Sequence, residues 1–268
     1  TSGTHERDPA WSPDGQTIAY FSDASGEYQL FLYPQDGLSE PRAIALTEAP
    51  SFYHAPKYSP DGTQILCTDK RMNVLFVDLA SGVTKIIDQD TYDHPLRTLD
   101  PVWSSDGRWI AYTKRLIHHL RAVFLYDVTQ GTTHQVTDGL SDATSACFSR
   151  DGKYLFFAAS TDMGLNTAWL DMTSIDRPTT KNLYLAVLAA DTPSPLLPES
   201  DEEGKGMTEA AKSPEAASPV ASEGAETEEK PAAGPALALT RVDLAGLDQR
   251  ILALPIAAGN FDELRSAD

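Results

Sequence analysis

Four copies of one turn, the regular spacing between them and the apolar run after each predict an all-β fold. The expected architecture is a β-propeller of four-stranded antiparallel blades. The turn reads Ser12-Pro13-Asp14-Gly15, Ser59-Pro60-Asp61-Gly62, Ser104-Ser105-Asp106-Gly107 and Ser149-Arg150-Asp151-Gly152, and its glycines stand 47, 45 and 45 residues apart. A repeat of this length with one turn at one phase is the mark of a propeller blade. An aromatic residue precedes each turn (Trp11, Tyr58, Trp103, Phe148). In the turn, Pro presets φ, Asp accepts the bridge region and Gly takes the left-handed conformation that folds the next strand back.

Taken in order, the first blade is expected to hold strands at Ala10–Ser12, Thr17–Ser22, Tyr28–Tyr33 and Arg42–Thr47. The second is expected at Pro56–Ser59, Gln64–Thr68, Asn73–Leu79 and Val83–Ile87, with Ala80-Ser81-Gly82 as a hairpin signal. The third is expected at Pro101–Ser104, Trp109–Lys114, Ala122–Val128 and His134–Thr137, with the matching turn at Gln130-Gly131. The middle strands are rich in β-branched and aromatic residues. Their apolar runs are nearly continuous rather than alternating, which implies burial on both faces between neighbouring blades.

The fourth repeat opens normally over Ser145–Ser160 and then departs. Thr161–Lys181 reads as irregular, Asn182–Ala190 as a delayed third strand and Ala236–Val242 as the fourth strand. Between them, 191–235 is built of Pro, Ala, Ser, Glu, Lys and Gly without an aromatic, a composition that cannot bury enough apolar surface to fold. The expected organisation is therefore propeller over 1–190, an acidic disordered insertion over 191–235, and over 236–268 the end of the fourth blade with the start of a fifth at Leu247–Pro255. About five blades fit the length once the insertion is set aside. They form either a small closed ring or, the preferred reading, part of a six- or seven-bladed one. The abrupt N-terminus without Met suggests a piece of a longer chain.

The formal charge is −18, which disfavours nucleic acid and anionic membrane surfaces as partners. The insertion carries much of it and so says little about a folded surface. No apolar run is long enough to span a bilayer, and the N-terminus lacks a secretory signal. Cys67 and Cys147 lie in strand-like runs and read as buried thiols, although a disulfide between them stays open.

The chain shows no Gly-x-Ser-x-Gly elbow and no phosphate-binding glycine loop. His118-His119 is the one His pair and lacks metal-ligand spacing. Asp14, Asp61, Asp106 and Asp151 occupy equivalent turns and need no catalytic explanation. The basic stretch Lys114–Arg121 reads as a charged hairpin that blunts a strand end; the functional alternative is a surface that greets a peptide carboxylate or an acidic partner. The sequence assigns this chain no catalytic residue, no metal ligand and no cofactor, and it leaves the substrate-binding residues unknown.

The repeated Trp-Ser-Pro-Asp-Gly pattern resembles a broad set of propellers, including those of prolyl-oligopeptidase-like enzymes, TolB and tricorn proteases. The fourth repeat narrows the set. Phe148–Phe157, Asp176-Arg177-Pro178, Leu183–Leu188, Pro193–Glu203 and Val242–Pro255 in that order resemble the second propeller of tricorn-type proteases, across essentially the whole chain. That resemblance implies a cytoplasmic serine peptidase of oligopeptides, assembled as a hexamer, whose remaining propeller and peptidase domains lie outside this chain. It also implies a non-catalytic role here: gating or guiding peptide to an active site elsewhere. The alternative is a stand-alone, TolB-like or scaffold propeller that binds proteins.

Overall fold

The computed structural model describes residues 3–92, 99–163, 166–167, 170–171, 179–197, 239–261 and 263–266. They build four four-stranded antiparallel sheets, close to the five blades expected. The first contains β1 (Glu6–Trp11), β2 (Thr17–Ser22), β3 (Gln29–Pro34) and β4 (Arg42–Ile44). The second contains β5 (Tyr53–Tyr58), β6 (Gln64–Asp69), β7 (Asn73–Asp78) and β8 (Thr84–Gln89). The third contains β9 (Val102–Trp103), β10 (Trp109–Arg115), β11 (Arg121–Asp127) and β12 (Thr132–Gln135). Each is a simple meander.

The fourth sheet holds β13 (Asp142–Phe148), β14 (Tyr154–Ser160), β17 (Asn182–Val187) and β18 (Ile251–Ala253). It corrects the expected boundary. The fourth strand is Ile251–Ala253, which pairs with Tyr184–Ala186, and not Ala236–Val242. The segment expected to open a fifth blade thus finishes the fourth. Its residues are held by Arg250, whose guanidinium donates to the carbonyls of Val187, Leu188, Asp243 and Ala245. Thr161–Lys181, expected to be irregular, contains a short hairpin of β15 (Asn166–Thr167) and β16 (Leu170–Asp171). Asp176-Arg177-Pro178 and most of the acidic insertion lie outside the described residues.

The turn repeats atom for atom. Ser12, Ser59, Ser104 and Ser149 each donate their hydroxyl to the turn aspartate at 2.5–2.6 Å. Each hydroxyl oxygen in turn accepts the amide N–H that opens the next strand, at 2.9–3.0 Å. The Ser12 hydroxyl and the Gln16 amide hold the Asp14 carboxyl below its ordinary range. Each turn also reaches the next sheet. A Cβ added at Gly62 would stand 3.4 Å from Pro13 Cδ, one at Gly107 3.5 Å from Pro60 Cδ, and one at Gly152 3.3 Å from Ser105 Oγ. The second residue of one turn therefore packs on the glycine of the following turn.

The core lies between sheets, which explains the continuous apolar runs. Ile65, Cys67, Leu75 and Val77 pack with Ala19, Phe21 and Leu30 of the first sheet. The alternate residues Leu66 and Val74 pack with Ile110, Tyr112 and Tyr126 of the third. Trp109, Ala111, Val123 and Leu125 then meet Leu155 and Phe157 of the fourth. Burying one such side chain is worth roughly 1.5–3 kcal/mol. The far face of the first sheet is open: Ile18, Tyr20 and Tyr33 line a shallow cavity and Trp11 is 58% exposed. Cys67 and Cys147 are both free thiols.

The glycines give a graded test. Gly15 has φ +69 and open space within 4 Å of an added Cβ, whereas a Cβ at Gly152 would stand 2.7 Å from Thr240 Oγ1 and 3.2 Å from Thr240 Cα. Gly15→Ala should cost only left-handed strain, about 1 kcal/mol. Gly152→Ala should cost at least ~1 kcal/mol more, because the returning Thr240 segment must shift. Urea denaturation of the two variants measures the difference.

Candidate functional site

The innermost strands carry a second repeated feature. Asp8, Ala55, Asp100 and Ser145 all have positive φ, of 49, 48, 28 and 56°, and each stands seven residues before its turn glycine. The register of the inner strand shifts at this point, between Arg7 and Ala10, His54 and Lys57, and Thr144 and Cys147. These are β-bulges, which re-aim side chains and release backbone groups from the ladder. Pro9, Pro56 and Pro101 follow three of the positive-φ residues and lack the N–H that a ladder would demand.

The bulges join neighbouring sheets. The Asp8 carboxylate accepts the Ala55 amide at 3.2 Å. Lys57 Nζ donates to Asp100 Oδ1 at 2.5 Å, and Trp103 Nε1 donates to the Lys57 carbonyl at 3.1 Å. Arg7 lies 4.0 Å over the Phe52 ring, within 3.2 Å of His54 Nδ1. Between the second, third and fourth sheets, Ala55, Asp100 and Ser145 help to enclose a cavity of about 220 Å³. Lys57, Thr68, Thr113, Arg121, Thr144 and Lys181 line it as well. This polar wall of the inner strands is the candidate site.

The basic stretch Lys114–Arg121 differs from both expectations for it. Lys114 Nζ bonds Asp88 at 2.7 Å, and the same carboxylate accepts the Tyr112 hydroxyl at 2.6 Å. Arg115, only 4% exposed, pairs with buried Asp90 at 3.6 Å. Arg121 binds buried Asp142 through Nε and Nη2. The cations thus tie the third sheet to carboxylates of the second sheet and to the start of the fourth. They are neither a solvated strand end nor a free basic patch. Burial pushes the Arg115 pKa down, with Arg121 acting in the same direction and Asp90 and Asp142 opposing.

His119 stacks on Tyr92 at 4.0 Å between ring centroids, and His118 Nδ1 accepts the Leu120 amide. Among the described residues, no three His, Cys, Asp or Glu side chains come together as a metal site. The four turn aspartates stay apart; each accepts an amide within its own turn, and Asp106 Oδ2 also accepts the Thr240 amide at 2.8 Å. The inner bulges go beyond what the turn repeat predicts. Their signal in the sequence is Asp-Pro, Ala-Pro and Asp-Pro at one phase of the repeat. No helix among the described residues is long and apolar enough to cross a membrane.

The family model described as the tricorn protease second beta propeller domain matches residues 1–268. The chain belongs to this family. It is 28% identical over its full length to tricorn protease homolog 1 of Streptomyces coelicolor and covers 23% of that protein. It is 32% identical, over 57% of its length, to the uncharacterized peptidase YuxL of Bacillus subtilis, of which it covers 22%. Among solved structures, the crystal structure of the tricorn protease superposes on 93% of the chain, and the chain covers 21% of that structure, with a TM-score of 0.62 at 16% identity. The chain spans less than a quarter of these two curated relatives.

The Arg121–Asp142 pair gives a stability test. Asp142→Asn alone leaves a cation at a half-closed site and should cost about 3–5 kcal/mol. Replacing both partners, as Arg121→Met with Asp142→Leu, should recover most of that loss. Denaturant melts of the single and double variants decide the point.

Proposed function

We propose that this chain is the non-catalytic propeller of a tricorn-like serine peptidase that degrades oligopeptides. Its inner wall guides peptide toward an active site outside residues 1–268. Family membership supports the peptidase context, and the fractional coverage of the relatives supports the presence of further propeller and peptidase domains in the parent protein. The observation that carries the guiding role is the wall itself. Four phase-locked positive-φ positions bring left-handed backbone, and at Asp8, Asp100 and Ser145 a polar side chain, to the inner strands, with the apolar residues withdrawn between the sheets. An extended peptide presents N–H, C=O and terminal charges, and a polar wall of this kind satisfies them without holding any one sequence tightly. Cytoplasmic location and a homohexameric assembly belong to the same proposal.

The experiment narrows the wall in the full-length protein. Ala55 is exposed on it, so Ala55→Trp adds bulk without disturbing the core. Its kcat/KM for a peptide of about ten residues should fall at least ~fivefold, while that for a blocked tripeptide stays within about twofold. Equal losses for both peptides, or no loss for either with the melting temperature unchanged, would refute guidance along this wall.

A further inference from the structure

We infer that a groove between the third and fourth sheets, beside their outer strands, docks a lysine- or arginine-bearing segment of a partner polypeptide. The groove measures about 490 Å³ and takes its apolar lining from Val136, Leu140, Phe157, Ala159, Tyr184 and Ile251. That volume falls within the roughly 300–1,000 Å³ of ligand-binding clefts. Asp138 and Asp248 add carboxylates, and among the described lining residues there is no lysine or arginine. Leu140 is 79% exposed, whereas Phe157 and Val136 are buried. The site is separate from the inner wall and does not depend on peptide guidance there.

The internal repeat names the chemistry of the occupant. Phe157 and Tyr184 pair across β14 and β17 as Tyr112 and Phe124 pair across β10 and β11. Both ring pairs are stacked, with centroids 5.6 Å apart in the fourth sheet and 5.8 Å apart in the third. Phe157 and Tyr112 each stand five residues after their turn glycine, and Ala159 and Lys114 each stand seven after it. At the junction of the second and third sheets, Lys114 Nζ lies 5.8 Å over the Phe124 ring and bonds Asp88 at 2.7 Å. The Tyr112 hydroxyl donates to the same carboxylate. At the junction of the third and fourth sheets the chain supplies Ala159 and Phe157 instead, whose side chains carry no donor, and both line the groove.

The surroundings complement a cation brought from outside. Tyr184, at the place of Phe124, lines the groove, and a cation over an aromatic ring is attracted by the ring quadrupole. Asp138 Oδ1 accepts the Leu140 amide, and neither Asp138 nor Asp248 makes an ion pair among the described residues. Exposed ion pairs are weak one by one, so selectivity comes from carboxylates, ring and buried methylene stem acting together. An apolar neighbour of the basic residue finds Leu140 to pack against. The formal charge of −18 steers a basic partner in the same sense.

Full-length protein, treated with diisopropyl fluorophosphate so that serine peptidase activity does not consume the probe, is titrated by fluorescence anisotropy. The probes are fluorescein-labelled Gly-Ala-Leu-Lys-Ala-Gly amide and the same peptide with norleucine in place of lysine, which keeps the methylene stem and removes the charge. The lysine peptide should bind at least ~tenfold tighter. Asp138→Asn combined with Asp248→Asn, both at exposed positions, should remove that preference, and Glu27→Gln, on a hairpin of the first sheet, should preserve it. Ala159→Lys puts a lysine where the third sheet has Lys114, and it should abolish binding of both peptides without lowering the melting temperature. If that variant does not fold, the paired aspartate changes carry the test alone. Equal binding of the two peptides, no binding of either, or a lysine preference that survives the aspartate changes overturns the site. Self-association in sedimentation that Ala159→Lys abolishes, with neither peptide bound, also overturns it and assigns the groove to a second copy of the chain. Binding is read without turnover, so the outcome is independent of the length-dependent hydrolysis that tests guidance.

Discussion

The fold depends on one hydrogen-bond relay, Ser hydroxyl to Asp carboxylate with strand amide to Ser hydroxyl, made four times in the same geometry. The relay closes the turn between the first and second strands of every sheet. It also sets the distance between sheets, because the second residue of each turn packs on the glycine of the next. A left-handed glycine is needed there for two reasons at once: the backbone conformation and the close approach of the preceding turn. The turn aspartates hold the turns and their amides, and Asp106 also holds the Thr240 amide of the returning segment.

Most of this is legible in the sequence because it is local. A turn fixes a few adjacent residues, and Ser-x-Asp-Gly with an aromatic before it and an apolar run after it specifies both turn and strands. The continuous apolar runs report burial on two faces, and Ile65-Leu66-Cys67 shows why: odd and even residues serve different neighbouring sheets. The outer strand of the fourth sheet is illegible for the complementary reason. Val242 and Ile251 are comparably apolar, and only long-range pairing with Ala186 and the Arg250 clamp selects Ile251–Ala253. Neither contact has a local signature.

The inner wall is less legible than the turns. It holds Asp, Ala, Asp and Ser at positive φ, where glycine, asparagine or aspartate is preferred, so Ala55 and Ser145 are the departures. Tertiary contacts compensate for the strain, as when Asp8 accepts the Ala55 amide across two sheets. The basic stretch is a poor sequence signal for the same reason. Lys114, Arg115 and Arg121 look like a charged hairpin until Asp88, Asp90 and Asp142 arrive from neighbouring sheets. Their charges are structural pairs, and Lys57, inconspicuous in the sequence, makes another with Asp100 of the neighbouring sheet.

Fold and function meet in this division of labour. The apolar residues and the turns hold the sheets, the paired charges lock neighbouring sheets, and the inner strands present the polar wall on which the proposed guidance rests. Contact between peptide and inner wall is the most direct consequence. A peptide of about ten residues carrying a photoreactive phenylalanine, irradiated with the full-length protein and mapped by mass spectrometry, measures it. The account predicts crosslinks concentrated on β1, β5, β9 and β13 and on the cavity wall around Lys57, Thr144 and Lys181. Crosslinks confined to the outer strands or to other domains of the parent protein would contradict it.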